Sequence, residues 1–286
     1  MMPREPRPNS AMHRQRRWMN AAKRPLAPTP GRALYLYSPD TWSDPGQAFR
    51  CERGLVRTDA SFVAQRLEQL TGRMVRAGGL EFRAAPPRIV AVTKYLAAQD
   101  MQQLRQAGLE LFGESRVQDA LPKLDALQGP AAPMEWHFIG TLQGNKVKSV
   151  VGRFTLFHSV DSMDLARRIA ATARELGLEQ RVLLQVNISQ EDSKHGFSPE
   201  TLVSAWSELA ALPGLDVRGL MGMAAACGPA RPAFRALRLL RDRLDEGRGL
   251  LPELSMGMSG DFEDAVAEGA TLVRIGTSLF SEEAET

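Results

Sequence analysis

At 286 residues, 43% hydrophobic and 24% charged, the chain has the composition of an ordinary globular protein and the length for one large core or two medium ones. Its formal net charge is +3, and much of the basic surplus sits in the first segment, where Arg4, Arg7, Arg14, Arg16, Arg17, Lys23 and Arg24 meet a single acid, Glu5. The remainder is close to balanced and gives no electrostatic case for nucleic acid, and no apolar run approaches a membrane span.

Residues 1–55 read as a tail. They are proline-rich, poor in aliphatic residues and basic, which is the composition of a disordered segment. An Arg-rich, acid-poor start is also that of an organelle transit peptide. Met12 and Met19 offer later translation starts. The two cysteines, Cys51 and Cys227, show neither metal spacing nor a disulfide framework, and the expected compartment is therefore the reducing cytoplasm.

The pattern changes at Thr58. Asp59 is placed to cap a helix with an apolar face of Phe62, Val63, Leu67, Leu70, Met74 and Val75, closed by Gly78-Gly79. Strand and helix then alternate to the end. Strands are predicted at 88–93, 109–112, 134–139, 155–158, 182–188, 217–221, 253–256 and 271–275. Helices between them include 161–177, with Leu165, Ile169 and Leu176 on one side, and 230–247, with Phe234, Leu237, Leu240 and Leu244.

Apolar strands separated by helices imply a parallel sheet, because parallel neighbours need crossover connections. Eight such units in roughly 230 residues match a single-domain (β/α)8 barrel over 56–286, behind a disordered tail of 1–55. The alternative, a doubly wound open sheet, lacks the G-x-G-x-x-G turn after its first strand.

Barrel chemistry sits where strands run into loops at the C-terminal face. The first predicted strand ends in Lys94, an ammonium expected to lose part of its water there. Desolvation lowers a lysine pKa, and a free amine is the nucleophile that forms a Schiff base with a carbonyl. Alone, such a lysine more often snorkels into solvent. The last two loops, Gly257-Met258-Ser259-Gly260-Asp261 and Arg274-Ile275-Gly276-Thr277-Ser278, are glycine- and hydroxyl-rich and lie where barrel enzymes bind phosphate. An aldehyde partner for Lys94 and a phosphate for these loops describe pyridoxal 5'-phosphate.

Arg274 stands two residues before Gly276 and therefore points into the barrel. Its guanidinium can donate to the pyridine nitrogen and leave it unprotonated, which makes a poor electron sink. The alternative for Arg274 is an ion pair across the barrel with Glu114 or Asp261. His137 alternates with Trp136 and Phe138 along a strand, as a core histidine does. His158 and His195 show no metal-ligand spacing, and no Ser/His/Asp set stands out, so neither a metal site nor a catalytic triad is expected.

The stretches Ala91–Lys94, Phe112–Gln118, Trp136–Lys146, Val186–Ser189 with Ser193–Gly196, Gly219–Met221, Ser255–Asp261 and Val273–Thr277 resemble the pyridoxal phosphate homeostasis protein family over roughly residues 58–282. That family is similar to the amino-terminal barrel of alanine racemase. The resemblance implies a cofactor carrier with Lys94 as the Schiff-base lysine and Arg274 at the ring nitrogen. Ser259, Gly276 and Thr277 would hold the phosphate beside Met258, with Asn187 and Met221 on the pocket floor. The family usually has Asn where this chain has Ser115, next to the ring. Implied partners are the cofactor and apoenzymes that depend on it, and the expected state is a monomer.

Two other readings use the same residues. A racemase needs opposed acid/base groups on the two faces of its substrate. In alanine racemases the second group is a tyrosine of another domain, whereas the three tyrosines here are Tyr35, Tyr37 and Tyr95. A sugar-phosphate or indole-type barrel enzyme would use Lys94 as an acid or base and hold no chromophore.

Overall fold

The computed structural model describes residues 49–51, 54–78, 86–127, 134–189, 195–225 and 227–281. Most of the expected tail lies outside these residues. Its end differs from the expectation: β1 (Phe49–Cys51) and β2 (Gly54–Val56) pair as an antiparallel hairpin. The hairpin is tied to the far end of the chain by a Val56–Ser281 bridge and by Arg57 N–H donating to the Phe280 carbonyl at 2.7 Å. Backbone pairing with residues distant in sequence orders this stretch, and composition alone carries no sign of it.

Helix α1 (Ala60–Gly78) starts as its sequence dictates, with Asp59 Oδ1 accepting the Phe62 N–H at 3.1 Å. Val63, Leu70 and Met74 form its buried stripe.

Eight strands follow: β3 (Arg88–Val92), β4 (Leu111–Glu114), β5 (Glu135–Phe138), β6 (Leu156–Val160), β7 (Gln180–Val186), β8 (Leu215–Gly222), β9 (Glu253–Met258) and β10 (Leu272–Ile275). They close in the order β10-β3-β4-β5-β6-β7-β8-β9, and every neighbouring pair is parallel. Arg274 is in register with Val90 on one side and Met258 on the other, and this double pairing of β10 rules out the open sheet. Each strand is followed by a helix: α2 (Asp100–Gln106), α3 (Val117–Ala126), α4 (Val147–Val150), α5 (Met163–Glu175), α6 (Pro199–Ala211), α7 (Arg231–Asp245), α8 (Phe262–Ala267) and α9 (Thr277–Phe280).

The period of two along each strand divides the core into two layers. Val90, Leu111, Leu156, Leu183, Met221 and Leu272 cluster in the bore. Their chain neighbours Ala91, Phe112, Phe157, Leu184, Leu220 and Val273 belong to the shell between strands and helices. That shell includes Leu165 and Ile169 of α5 and Phe234, Leu237, Leu240 and Leu244 of α7. Leu176 departs from the predicted stripe, because it caps α5 and is 51% exposed. The same parity aims His137, His158, Ser255 and Arg274 into the bore and turns Glu114 outward, beneath α3.

Candidate functional site

Lys94 follows the end of β3. Thr93 N–H still pairs with the Gly113 carbonyl at 3.1 Å, and Leu96 N–H turns back to the Thr93 carbonyl at 2.9 Å. Lys94 is half-buried, with Nζ 4.9 Å from the centroid of the exposed Tyr95 ring, a cation–π contact between neighbours in the chain. Beneath this turn Thr93 Oγ1 donates to Glu114 Oε1 at 2.8 Å, and Lys123 Nζ donates to the same oxygen at 2.7 Å and to the Thr93 carbonyl at 2.8 Å.

Arg274 is buried near the top of the bore, 5% exposed. Nη1 donates to the Ser255 carbonyl at 2.9 Å and to Ser255 Oγ at 2.6 Å, and Nη2 donates to the Gly222 carbonyl at 3.0 Å. Neither expected ion-pair partner is its ligand. Glu114 faces the other side of β4, and Asp261 Oδ1 instead accepts the Met258 N–H at 2.6 Å. Asp261 acts on Arg274 only through its field, and burial dominates, pulling the guanidinium pKa down to about 10. Its Nε–H and a second Nη2–H have no acceptor among the described residues. A cation held rigidly by carbonyls, with N–H groups to spare, fits a neutral ring acceptor such as a pyridine nitrogen.

The loops after β9 and β10 are joined. Ser259 Oγ accepts the Ser278 N–H at 3.3 Å, and Gly276 passes so close to β3 that an added Cβ would stand 3.3 Å from Val92 Cβ. Gly257 has φ +89°, and a Cβ there would meet Ala265 Cβ at 2.6 Å, so only glycine lets β9 enter this loop. Around Gly260 the space is open to 4 Å. Thr277, exposed, is the first residue of α9, whose leading N–H groups have no partner within the helix. Hydroxyls and backbone donors beside open space suit a phosphate.

The remaining candidates surround this centre. Met221 lies in the bore, 2% exposed, one residue before the carbonyl that holds Arg274. Asn187 is half-buried at the end of β7 and accepts from Ser189 Oγ at 3.3 Å. Ser115 is half-buried just beyond β4, and Met258 is 41% exposed at the rim. His195 is exposed, 3.9 Å from Asp161. Among the described residues no group of His, Cys, Asp and Glu is placed to hold a metal.

Sequence reading placed His137 in the core but did not join it to the other polar residues below Arg274. Ser255 Oγ is 2.8 Å from His158 Nδ1, His158 Nε2 is 2.9 Å from His137 Nδ1, and His137 Nε2 is 3.0 Å from Glu135 Oε1. Burial pushes His158 well below its ordinary value, helped by His137 and Arg274, and pushes His137 down as well. The hydrogen bond from His137, with Arg88 beside it, draws Glu135 down to about 2. Strand parity alone would have flagged all four as inward-facing.

Three comparisons bear on this arrangement. The alanine racemase N-terminal domain matches residues 80–283. A pyridoxal phosphate homeostasis protein of Aquifex aeolicus is 42% identical over 220 residues, covering 76% of this chain and 94% of that protein. One from Synechocystis is 40% identical over 203 residues, covering 69% and 93%. Among solved structures, PipY of Synechococcus elongatus with PLP bound is 34% identical with a TM-score of 0.66, covering 77% of this chain and all of that one (100%). An alanine racemase of Clostridium difficile, 16% identical with a TM-score of 0.60, shares the fold and is 56% covered. With this identity sustained over nearly the whole length of those relatives, the chain belongs to the pyridoxal phosphate homeostasis protein family.

Proposed function

We propose that the chain holds pyridoxal 5'-phosphate as a Schiff base on Lys94 and works in the cell's handling of this cofactor, not as a catalyst. The observation that carries the reading is the buried Arg274, fixed by Ser255 and Gly222, with N–H groups left to donate into the bore. Bound there, the cofactor would bring an aldehyde that an amine can capture and a ring whose electron demand depends on protonation at nitrogen. Arg274 donates and does not give up a proton, so it keeps that nitrogen unprotonated and the ring a weak electron sink. Ser259, Gly276 and Thr277 hold the phosphate, Met221 and Asn187 form the floor, Ser115 lies beside the ring and Met258 borders the entrance. The PLP-bound PipY relative supports the choice of ligand.

The racemase alternative is not favoured. It needs a second acid/base group opposite the lysine. Among the described residues Tyr95 is the single tyrosine, and its ring packs on Lys94 itself. Apoenzymes that use the cofactor are the proposed recipients, met in the cytoplasm by a monomer. No helix among the described residues is long and apolar enough to cross a membrane.

An absorbance scan tests this reading. The purified protein loaded with pyridoxal phosphate is expected to show the visible band of a lysine-bound aldehyde, to lose it in Lys94→Ala, and to leave L-alanine unracemised. An unchanged band in Lys94→Ala would remove the lysine from its role, and steady racemisation would restore the enzyme reading.

A further inference from the structure

A buried guanidinium with no carboxylate ligand is costly, because burial strips its water without supplying a counter-charge at contact. The polar residues inside the bore resolve this. Arg274 can only donate, so Ser255 Oγ, 2.6 Å from Nη1, is its acceptor and keeps its own hydrogen to give away. The atom placed to receive it is His158 Nδ1, at 2.8 Å, which must then be bare. Neutral His158 therefore carries its proton on Nε2 and donates to His137 Nδ1 at 2.9 Å, which must be bare in turn. His137 donates from Nε2 to Glu135 Oε1 at 3.0 Å, while Arg88 engages Oε2.

With both rings neutral, as their burial favours, one arrangement satisfies every link, and in it each hydrogen points the same way, from Arg274 down to Glu135. A second proton on His158 would set two N–H groups facing each other between the rings, and one on His137 fits only if His158 moves its proton to Nδ1 and the order of the line reverses there. The line descends from the upper part of β10 through β9, β6 and β5 to Glu135, the first residue of β5, at the opposite end of the barrel from Lys94.

We infer that Ser255, His158 and His137 are positioning residues that join Arg274 to Glu135 as one relayed ion pair and fix the guanidinium as the donor aimed into the bore. A series of hydrogen bonds with common polarity strengthens each member and holds the terminal donor in one orientation. The effect on the cofactor rests on the function proposed above; the hydrogen-bond order does not.

Two measurements test it. In the apoprotein with 15N-labelled histidine, His137 and His158 are expected both to be Nε2-protonated and Nδ1-bare at neutral pH. A proton on Nδ1 of either overturns the inference. In the loaded protein, Ser255→Ala is expected to bind pyridoxal phosphate about tenfold more weakly, with a shifted visible band, as befits the loss of a hydrogen bond to a charged group. Glu135→Gln keeps the acceptor but removes the charge, far from the ligand, and is expected to weaken binding several-fold with a band shift in the same direction. Wild-type affinity and spectrum in Glu135→Gln would overturn the relay even if Ser255→Ala failed to fold. If the wild-type protein takes up no cofactor, the proposed function falls, and the histidine spectra still decide the hydrogen-bond order.

Discussion

Lys123 Nζ lies 2.8 Å from the carbonyl oxygen of Thr93, so a buried ammonium on α3 holds the strand end from which Lys94 projects. Glu114 completes the group on the outer face of the barrel: Oε1 accepts from both Lys123 and Thr93, while Oε2 is buried without a partner among the described residues. Burial raises the Glu114 carboxyl above its usual value against the pull of Lys123. The backbone geometry at Lys94 thus depends on an ion pair that water does not reach.

Removing one member leaves the other buried and uncompensated. Lys123→Met and Glu114→Leu are each expected to destabilise the fold by about 3–5 kcal/mol, and the two replacements together by clearly less than the sum. Urea denaturation of the set measures the coupling. Additive losses would mean that the two side chains do not act as a pair.

Acid should weaken the fold in two stages. His158 and His137 have depressed values in the folded state, against 6.5 for the free side chain. Below about pH 6.5 the unfolded chain takes up protons that the folded chain refuses. Their contribution is therefore complete above that pH and shrinks as pH falls, by up to about 1.4 kcal/mol per pH unit for each ring. Glu135, held at about 2, adds a second loss as pH falls from 4.5 toward that value. Chemical denaturation between pH 7.5 and pH 5, placed by those windows, should show the slope, and His158→Asn should roughly halve it. A flat profile in the wild-type protein would mean that the rings are accessible to protons.

The barrel was legible because apolar strands and helical segments alternate eight times along the chain, as a closed parallel sheet requires. Counting from the strands placed Lys94 at a strand end and Arg274 in the bore. The same count, carried one step further, turns Glu114 outward next to the inward Gly113, and so excludes it as a partner for Arg274. Parity says which face a residue takes but not what meets it across the bore, since that depends on how neighbouring strands are staggered. His137 and His158 belong to neighbouring strands, Ser255 to a distant one, and only closure brings them into line. The hairpin at 49–56 was illegible for another reason: its pairing with residues 280 and 281 is invisible to local pattern.

Gly140 offers a steric test of the turn that carries Ser115. A Cβ on Gly140 would stand 2.1 Å from the Ser115 carbonyl oxygen and 2.7 Å from its Cα, backbone atoms that cannot rotate away. Gly140→Ala is expected to destabilise the protein by roughly 1–3 kcal/mol, as overpacking does, and to weaken pyridoxal phosphate binding together with stability. Wild-type thermal stability in the variant would show that the two loops separate freely.

Ser115 itself stands where the family resemblance seen in the sequence implies Asn. Its backbone is fixed from two sides, by the close approach of Gly140 and by Ile139 N–H donating to the Glu114 carbonyl at 2.8 Å. A longer side chain at 115 therefore starts from a defined point and, with the cofactor held as proposed, reaches further toward its ring. Ser115→Asn is expected to tighten pyridoxal phosphate binding by one hydrogen bond, about 0.5–1.5 kcal/mol, or a few-fold to about tenfold in affinity. The opposing effect is a water seated in the space that serine leaves, because a bridging water nearly matches a direct bond and its displacement gains little. The direct bond is favoured here because the clamped backbone leaves only the rotamers of the new side chain to be ordered. Parallel titrations of both proteins with the cofactor, in one buffer, decide between the two. Equal or weaker binding by the Asn variant would mean that serine and its water already satisfy this side of the ring.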